Sequence, residues 1–191
     1  INFKGGVGKT TLSMELAASL YKKFNSRVLM VDLDPQSNCT LYWLNEADWE
    51  RQINDKGTLL SFFEACLEDK PFDISSIVAT PTRFAKSPWY KQFDLRLNRG
   101  IKLVPSDMQL FGVDLKLAQR FGFDNPKAQL FLKKALAVLD NQYDFIFIDC
   151  PPNLYLATQN GLFASQYYVV VALAEYLSTL GIAHIQASIN S

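Results

Sequence analysis

Apolar runs along the chain alternate with segments of helical spacing. In TTLSMELAASLYKK (10–23), Leu12, Leu16 and Leu20 recur every four residues and predict a helix. RVLMVDLD (27–34) is a β-branched apolar run ending in two acids, which predicts a strand whose C-terminal end carries chemistry. TLLSFFEACLE (58–68) has a helical pattern, and IKLVPS (101–106) that of a short strand. Residues 107–121 and 126–141 predict two more helices separated by GFDNP, with Pro126 suited to a first helical turn. FIFID (145–149) and YYVVVALA (167–174) are apolar almost throughout and predict strands buried on both faces.

Continuous apolar strands set between helices are the mark of a parallel sheet covered on both sides. The expected fold is therefore α/β, a mostly parallel sheet with helices on both faces, in the manner of a Rossmann-like three-layer sandwich. No repeat or low-complexity linker divides the chain, so residues 1–191 are expected to form one domain. The glycine-rich loop near the start should follow a full buried strand, yet only residues 1–3 precede it. The last residues stop inside a helical pattern. The domain is thus expected to be truncated at both ends.

Composition narrows the chemistry. Nineteen basic residues balance nineteen acidic ones, so bulk charge does not point to nucleic acid or membrane. Three scattered cysteines, Cys39, Cys66 and Cys150, form neither a disulfide framework nor a zinc site, and reduced thiols in the cytoplasm are the simplest reading. His184 is the sole histidine, which argues against a His-ligated metal or a Ser-His-Asp triad. The run 167–174 falls far short of the ~20 apolar residues needed to span a bilayer. Residues 83–99 interleave five basic residues with Trp89, Tyr90 and Phe93. That composition reads as an exposed excursion whose aromatics pack on the domain, and it also suits nucleic acid.

The chemistry concentrates in INFKGGVGKTTL. GGVGKTT follows a strand remnant and opens a helix, the context a phosphate-binding loop requires. Gly5, Gly6, Val7 and Gly8 would turn backbone N–H groups onto phosphate oxygens, and the helix N-terminus adds its positive end. Lys9 should reach the β- and γ-phosphates of ATP, the Thr10 hydroxyl should sit on Mg²⁺, and Thr11 is placed for the α-phosphate. Asp32 and Asp34, two residues apart at a strand end, would lie close to the bound cation, as would Asp149 at the end of FIFID. Cys150 has no neighbouring base in sequence and reads as a packing residue. Lys4 is left over, since one lysine suffices for such a loop.

This KGGVGKTT form resembles the deviant phosphate loop of the ParA/MinD family of ATPases, and the remaining motifs follow that family in order. VDLDPQSNCT (31–40) resembles its first switch, FIFIDCPPN (145–153) its Walker B strand and second switch, and LVPSDMQLFGVDLKL (103–117) its I-P-S strand and helix. AEYLSTLGI (174–182), with Glu175, Ser178 and Gly181, resembles the segment after the next strand. A proline common in the family near the end of the strand before it is replaced by Val171. DLDPQ and DCPP fit the ParA/Soj side best.

The resemblance implies that Lys4 crosses a dimer interface to the partner's ATP and that Asp34 orients the attacking water. It also implies that Asp32 and Asp149, with Thr10, serve the Mg²⁺ shell. It implies an ATPase, slow alone and stimulated by a ParB-like partner, that forms a homodimer on binding ATP. The full-length protein would bind DNA without sequence preference and act in plasmid or chromosome partition, in a bacterial cytoplasm at the nucleoid. The alternatives are a MinD-like or cargo-positioning ATPase, a nucleotide-gated regulator with little hydrolysis, and a metabolic ligase of the same fold.

Overall fold

The structure is a computed structural model that describes residues 1–2, 4–83, 100–122 and 125–173. Its centre is a parallel sheet of β1 (Val28–Asp32), β2 (Ile101–Val104) and β3 (Phe145–Asp149) in the order β2-β1-β3. Val28 aligns with both Ile101 and Phe145, and Asp32 aligns with Asp149. All three strands therefore end on one side of the sheet, where open α/β sheets place their ligand sites.

Every residue of β1 is buried, and alternate positions serve opposite layers. Val28 and Met30 pack with Met14 and Ala17 of α1 (Lys9–Phe24) and with Cys39 and Trp43 of α2 (Asn38–Trp43). Leu29, Val31 and Leu33 face a larger core. That core is built by α4 (Leu59–Leu67), α5 (Leu110–Phe121), α7 (Phe131–Leu136) and α8 (Leu156–Ala164). The expected three-layer α/β architecture is what the chain adopts. Two further helices, α3 (Glu46–Asp55) and α6 (Pro126–Gln129), complete the described set.

Helix ends follow local chemistry. Thr58 caps α4, its hydroxyl accepting from Leu60 N–H, and the side chain of Asn125 accepts from Lys127 and Ala128 N–H with Pro126 in the first turn of α6. Gly161 of α8 lies so close to β3 that a Cβ there would meet Leu33 Cδ1 at 2.8 Å and Cys150 Sγ at 3.1 Å.

Three expectations are corrected. FIFID forms β3 but is not buried on both faces: Phe145 is 44% exposed and residues 146–148 are half-buried, because they line an open groove. Residues 126–141 do not form one helix: α6 stops at Gln129 and α7 restarts at Phe131. The cause is Asn160, fully buried on α8. Its Nδ2 donates to Ala128 O at 2.8 Å and its Oδ1 accepts from Leu132 N–H at 3.0 Å. A continuous helix would pair those two backbone groups with each other, and the amide has taken that place.

The apolar run 167–174 is not a buried strand over its described part, 167–173. Tyr167 is 90% exposed and Val169 57%. The segment lies across a groove of about 770 Å³ from β3. Its contacts with the described start of the chain are Ile1 N to Val169 O and Asn2 Nδ2 to Val171 O, both 2.7 Å. Among the described residues these two bonds do not make a ladder, and the described run is left largely exposed. The basic-aromatic stretch beyond Arg83, the motif residues Glu175, Ser178 and Gly181, and His184 lie outside the described residues.

Candidate nucleotide site

The loop between Asn2 and α1 is shaped by glycine. Gly6 has φ 73° and Gly8 has φ 90°, and open space surrounds the Cβ positions of Gly5, Gly6 and Gly8. A side chain at Gly6 or Gly8 would be strained by its backbone, and one on any of the three would project into that open space. Gly8 is also the N-cap of α1, so unpaired N–H groups of the first turn face the same space. Val7 is buried and pins the loop to the domain by its side chain.

Lys9 begins α1, and its Nζ donates to Lys4 O at 3.2 Å, across the loop. Partial burial lowers its pKa, while Asp149 and Asp34 pull it back up. Lys4 is held through its main chain: its N–H donates to Asn2 Oδ1 at 2.9 Å, and Asn2 is buried and tied to Val171. Thr11 lies exposed in the first turn. The Thr10 hydroxyl lies near Asp149 and favours its charged form.

Register places Asp149 beside Asp32. Burial raises Asp149 to about 6; the nearby Thr10 hydroxyl and Lys9 oppose the rise, and Asp34 adds to it. Asp32 is fully buried and raised to about 7, first by desolvation and then by the Asp149 charge. Its carboxylate accepts from Asp34 N–H at 3.1 Å, Thr40 N–H at 2.8 Å and the Thr40 hydroxyl at 2.7 Å. Asp34 is 9% exposed, and its Oδ1 accepts from Gln36 N–H at 2.9 Å. The structure thus brings together the loop, Lys9, Thr10, Asp32, Asp34 and Asp149.

The donor set fits Mg²⁺ carried by a nucleotide. Among the described residues Asp149 Oδ2 is buried without a hydrogen-bond partner. An orphaned carboxylate oxygen is costly unless a cation or its water fills the place. Among the described residues no three acidic, His or Cys side chains form a metal cage. A Mg²⁺ ion held mainly by phosphate oxygens and water needs no more than the hydroxyl and one or two carboxylates.

Cys150 packs in the core with Sγ 3.8 Å from Ile148 O, and burial pushes its thiol up to about 12. Cys66 is also raised to about 12, and Cys39 is raised well above its ordinary value, again by burial first. Raised thiol pKa values deplete the thiolate, the form that reacts. Iodoacetamide labelling at pH 8 is therefore expected to be at least ~100-fold slower in the native protein than in urea. Mass spectrometry at timed quenches measures this, and fast native labelling at Cys150 would show it to be a reactive group.

Three participants were not singled out from sequence. Asn2, Thr40 and Ser106 all lie inside the quoted motifs, but their role depends on partners that sequence does not name. The Ser106 hydroxyl donates to Asp34 O at 2.7 Å, and its N–H donates to Thr40 Oγ1 at 2.9 Å.

The family described as an AAA domain matches residues 1–191. The chain is 33% identical over 185 residues to the sporulation initiation inhibitor protein Soj of Bacillus subtilis, covering 96% of this chain and 60% of that protein. It is 33% identical over 189 residues to the chromosome partitioning protein ParA of Myxococcus xanthus, covering 99% and 56%. The chain thus spans a little over half the length of these relatives.

Among solved structures, a plasmid partition protein from Borrelia burgdorferi superposes with a TM-score of 0.73 at 25% identity, covering 98% of this chain and 69% of that one. Cobyrinic acid a,c-diamide synthase from Mycobacterium smegmatis, with bound ADP and magnesium, gives 0.73 at 30% identity, covering 100% and 64%. With the matched family running from the first residue to the last, the chain belongs to the AAA domain family, and nearly its whole length is similar to proteins named Soj and ParA.

Proposed function

We propose that this chain is the nucleotide-handling part of a Mg-ATP-dependent ATPase of ParA type, which hydrolyses ATP to ADP and phosphate. The observation that carries this is the convergence, at the carboxyl ends of β1 and β3, of a glycine loop, Lys9 and three carboxylates. Gly5 to Thr11 would cradle the phosphates through main-chain N–H groups, and Lys9 would neutralise the β- and γ-phosphates. Thr10, Asp149 and Asp32 would hold Mg²⁺, Asp32 through water because its oxygens already accept from Asp34 and Thr40. When bound, Mg²⁺ supplies positive charge to the phosphates. Asp34 would orient the attacking water.

The fold is shared with an amide-forming synthase, so fold alone does not choose the reaction. Lys4 does the choosing in this reading. A second lysine across the loop from Lys9 adds positive charge best used on a partner's nucleotide, which makes ATP part of a homodimer interface. The full-length protein would then bind DNA without sequence preference, answer to a ParB-like partner and act at the nucleoid in plasmid or chromosome partition. No described helix is long and apolar enough to cross a membrane.

The test uses the full-length protein with a random-sequence DNA duplex. Binding is expected with ATP, to be weak with ADP, and to fall at least ~10-fold on Lys4→Ala. Sedimentation should show the ATP dimer lost in the same variant. Unchanged ATP-dependent DNA binding by Lys4→Ala would remove the trans-lysine dimer. Binding to anionic liposomes but to no DNA in any nucleotide state would replace partition with a MinD-like role.

A further inference from the structure

Asp34 sits in a loop, and loops place side chains less firmly than strands do. Most of its restraints are local. Asp34 N–H donates to Asp32 Oδ1, Gln36 N–H donates to Asp34 Oδ1, and Ser37 N–H donates to Asp34 O at 2.8 Å. Such bonds hold the loop in shape but let it shift as a unit. Next to Asp34, Leu33 N–H donates to Asp149 O at 2.9 Å, and the long-range tie to Asp34 itself comes from Ser106, just beyond the end of β2 and 72 residues away in sequence.

Ser106 and Thr40 are both fully buried. The Ser106 hydroxyl donates to Asp34 O, and its N–H donates to Thr40 Oγ1, whose own proton goes to Asp32 Oδ2. Ser106 O in turn accepts from Trp49 Nε1 at 3.0 Å, and the neighbouring Pro105 O accepts from Leu59 N–H at 3.0 Å. The serine is thus clamped from α3 and α4 while its two donors both serve the 32–40 loop. Asp34 O already has Ser37 N–H as a partner, so the fold does not need the second bond to satisfy that carbonyl. What the second bond adds is position.

We infer that Ser106 is a positioning residue that holds Asp34 at its working place through the Asp34 main-chain carbonyl, with Thr40 linking the same clamp to Asp32. The inference rests on the proposed hydrolytic role of Asp34. A carboxylate displaced by a fraction of an ångström still permits nucleotide binding, because the phosphates are held by residues 5–11. It aligns water poorly, so the loss falls on turnover.

The experiment is steady-state ATP hydrolysis by the full-length protein and its variants, with nucleotide affinity and Tm measured alongside. Ser106→Ala is expected to lower kcat about 10- to 100-fold, with KM and ADP affinity within about twofold of the parent. Thr40→Val should move kcat in the same direction, and Thr40→Ser, which keeps the hydroxyl, should return it to within about threefold. If the parent hydrolyses ATP, Asp34→Ala does not, and Ser106→Ala turns over like the parent, the inference is overturned alone. Loss of kcat with a matching rise in KM and a large fall in Tm would make Ser106 merely structural and overturn it as well. A parent protein that binds ATP but turns over no faster than Asp34→Ala would overturn the hydrolytic reading, and the inference with it.

Discussion

Replacing Asp34 by alanine in the full-length protein is expected to cut ATP turnover at least ~100-fold, while ATP affinity stays within about threefold. The split follows from how the site is built. In the proposed reading the phosphate contacts come from the glycine loop, Lys9 and the first turn of α1, none of which is hydrogen-bonded to the Asp34 side chain among the described residues. The loop around Asp34 is held mainly by its backbone: its N–H donates to Asp32, and its carbonyl accepts from Ser37 and Ser106. Alanine keeps all of those bonds and loses only Oδ1 as acceptor for Gln36 N–H. Removing the charge also relieves the Coulombic pressure that helps raise Asp149. Affinity for Mg-ATP should therefore not fall. Single-turnover hydrolysis and equilibrium binding of a fluorescent ATP analogue would measure the two sides. Normal turnover would take Asp34 out of the reaction, whereas lost binding would make it part of the fold of the site.

Asn160→Ala is expected to destabilise the domain by about 3 kcal/mol, because three backbone groups lose their partner. The side chain donates to Ala128 O and Leu156 O and accepts from Leu132 N–H, all in buried surroundings. Each buried group left unpaired costs roughly 1–3 kcal/mol. Leu156 O has a helical alternative within α8, so the main losses are at Ala128 and Leu132. For a chain of this size the shift in Tm is roughly 6–12 °C. Partial recovery is open to the variant, since Ala128 O and Leu132 N–H can pair with each other if α6 and α7 straighten into one helix. A rise in helical ellipticity alongside a modest Tm loss would show that route. An unchanged Tm with unchanged ellipticity would mean the amide does not interrupt the helix.

How far the site could be read from sequence depends on the range of each interaction. The loop from Lys4 to Thr11 is contiguous, and its glycines act on their own backbone, so the spacing alone carries the geometry. The acids at 32 and 149 were legible as strand-end residues, with Asp34 two residues on, because an apolar run that stops at an acid marks where a strand reaches the sheet edge. The cap at Asn125 and Pro126 is equally local. Asn2, Thr40 and Ser106 were not legible in the same way. Small polar residues inside a motif look alike until a partner tens of residues away is brought beside them.

Two misreadings have the same physical root. Residues 126–141 carry a good helical pattern, and nothing within them announces that an amide from α8 will enter the ladder. YYVVVALA has the composition of a buried strand, but burial is a property of neighbours, and across its described part the pairing amounts to two hydrogen bonds. The amino-acid sequence by itself determined the class of fold, the phosphate loop, the helix behind it and the strand-end acids, because backbone preference and apolar periodicity are short-range. Tertiary structure alone decided that Asp32 and Asp149 lie side by side, that Asp149 Oδ2 has no partner among the described residues, and that Ser106, from beyond β2, holds the Asp34 carbonyl. Those outcomes depend on strand register and on desolvation, which exist only once distant segments have packed.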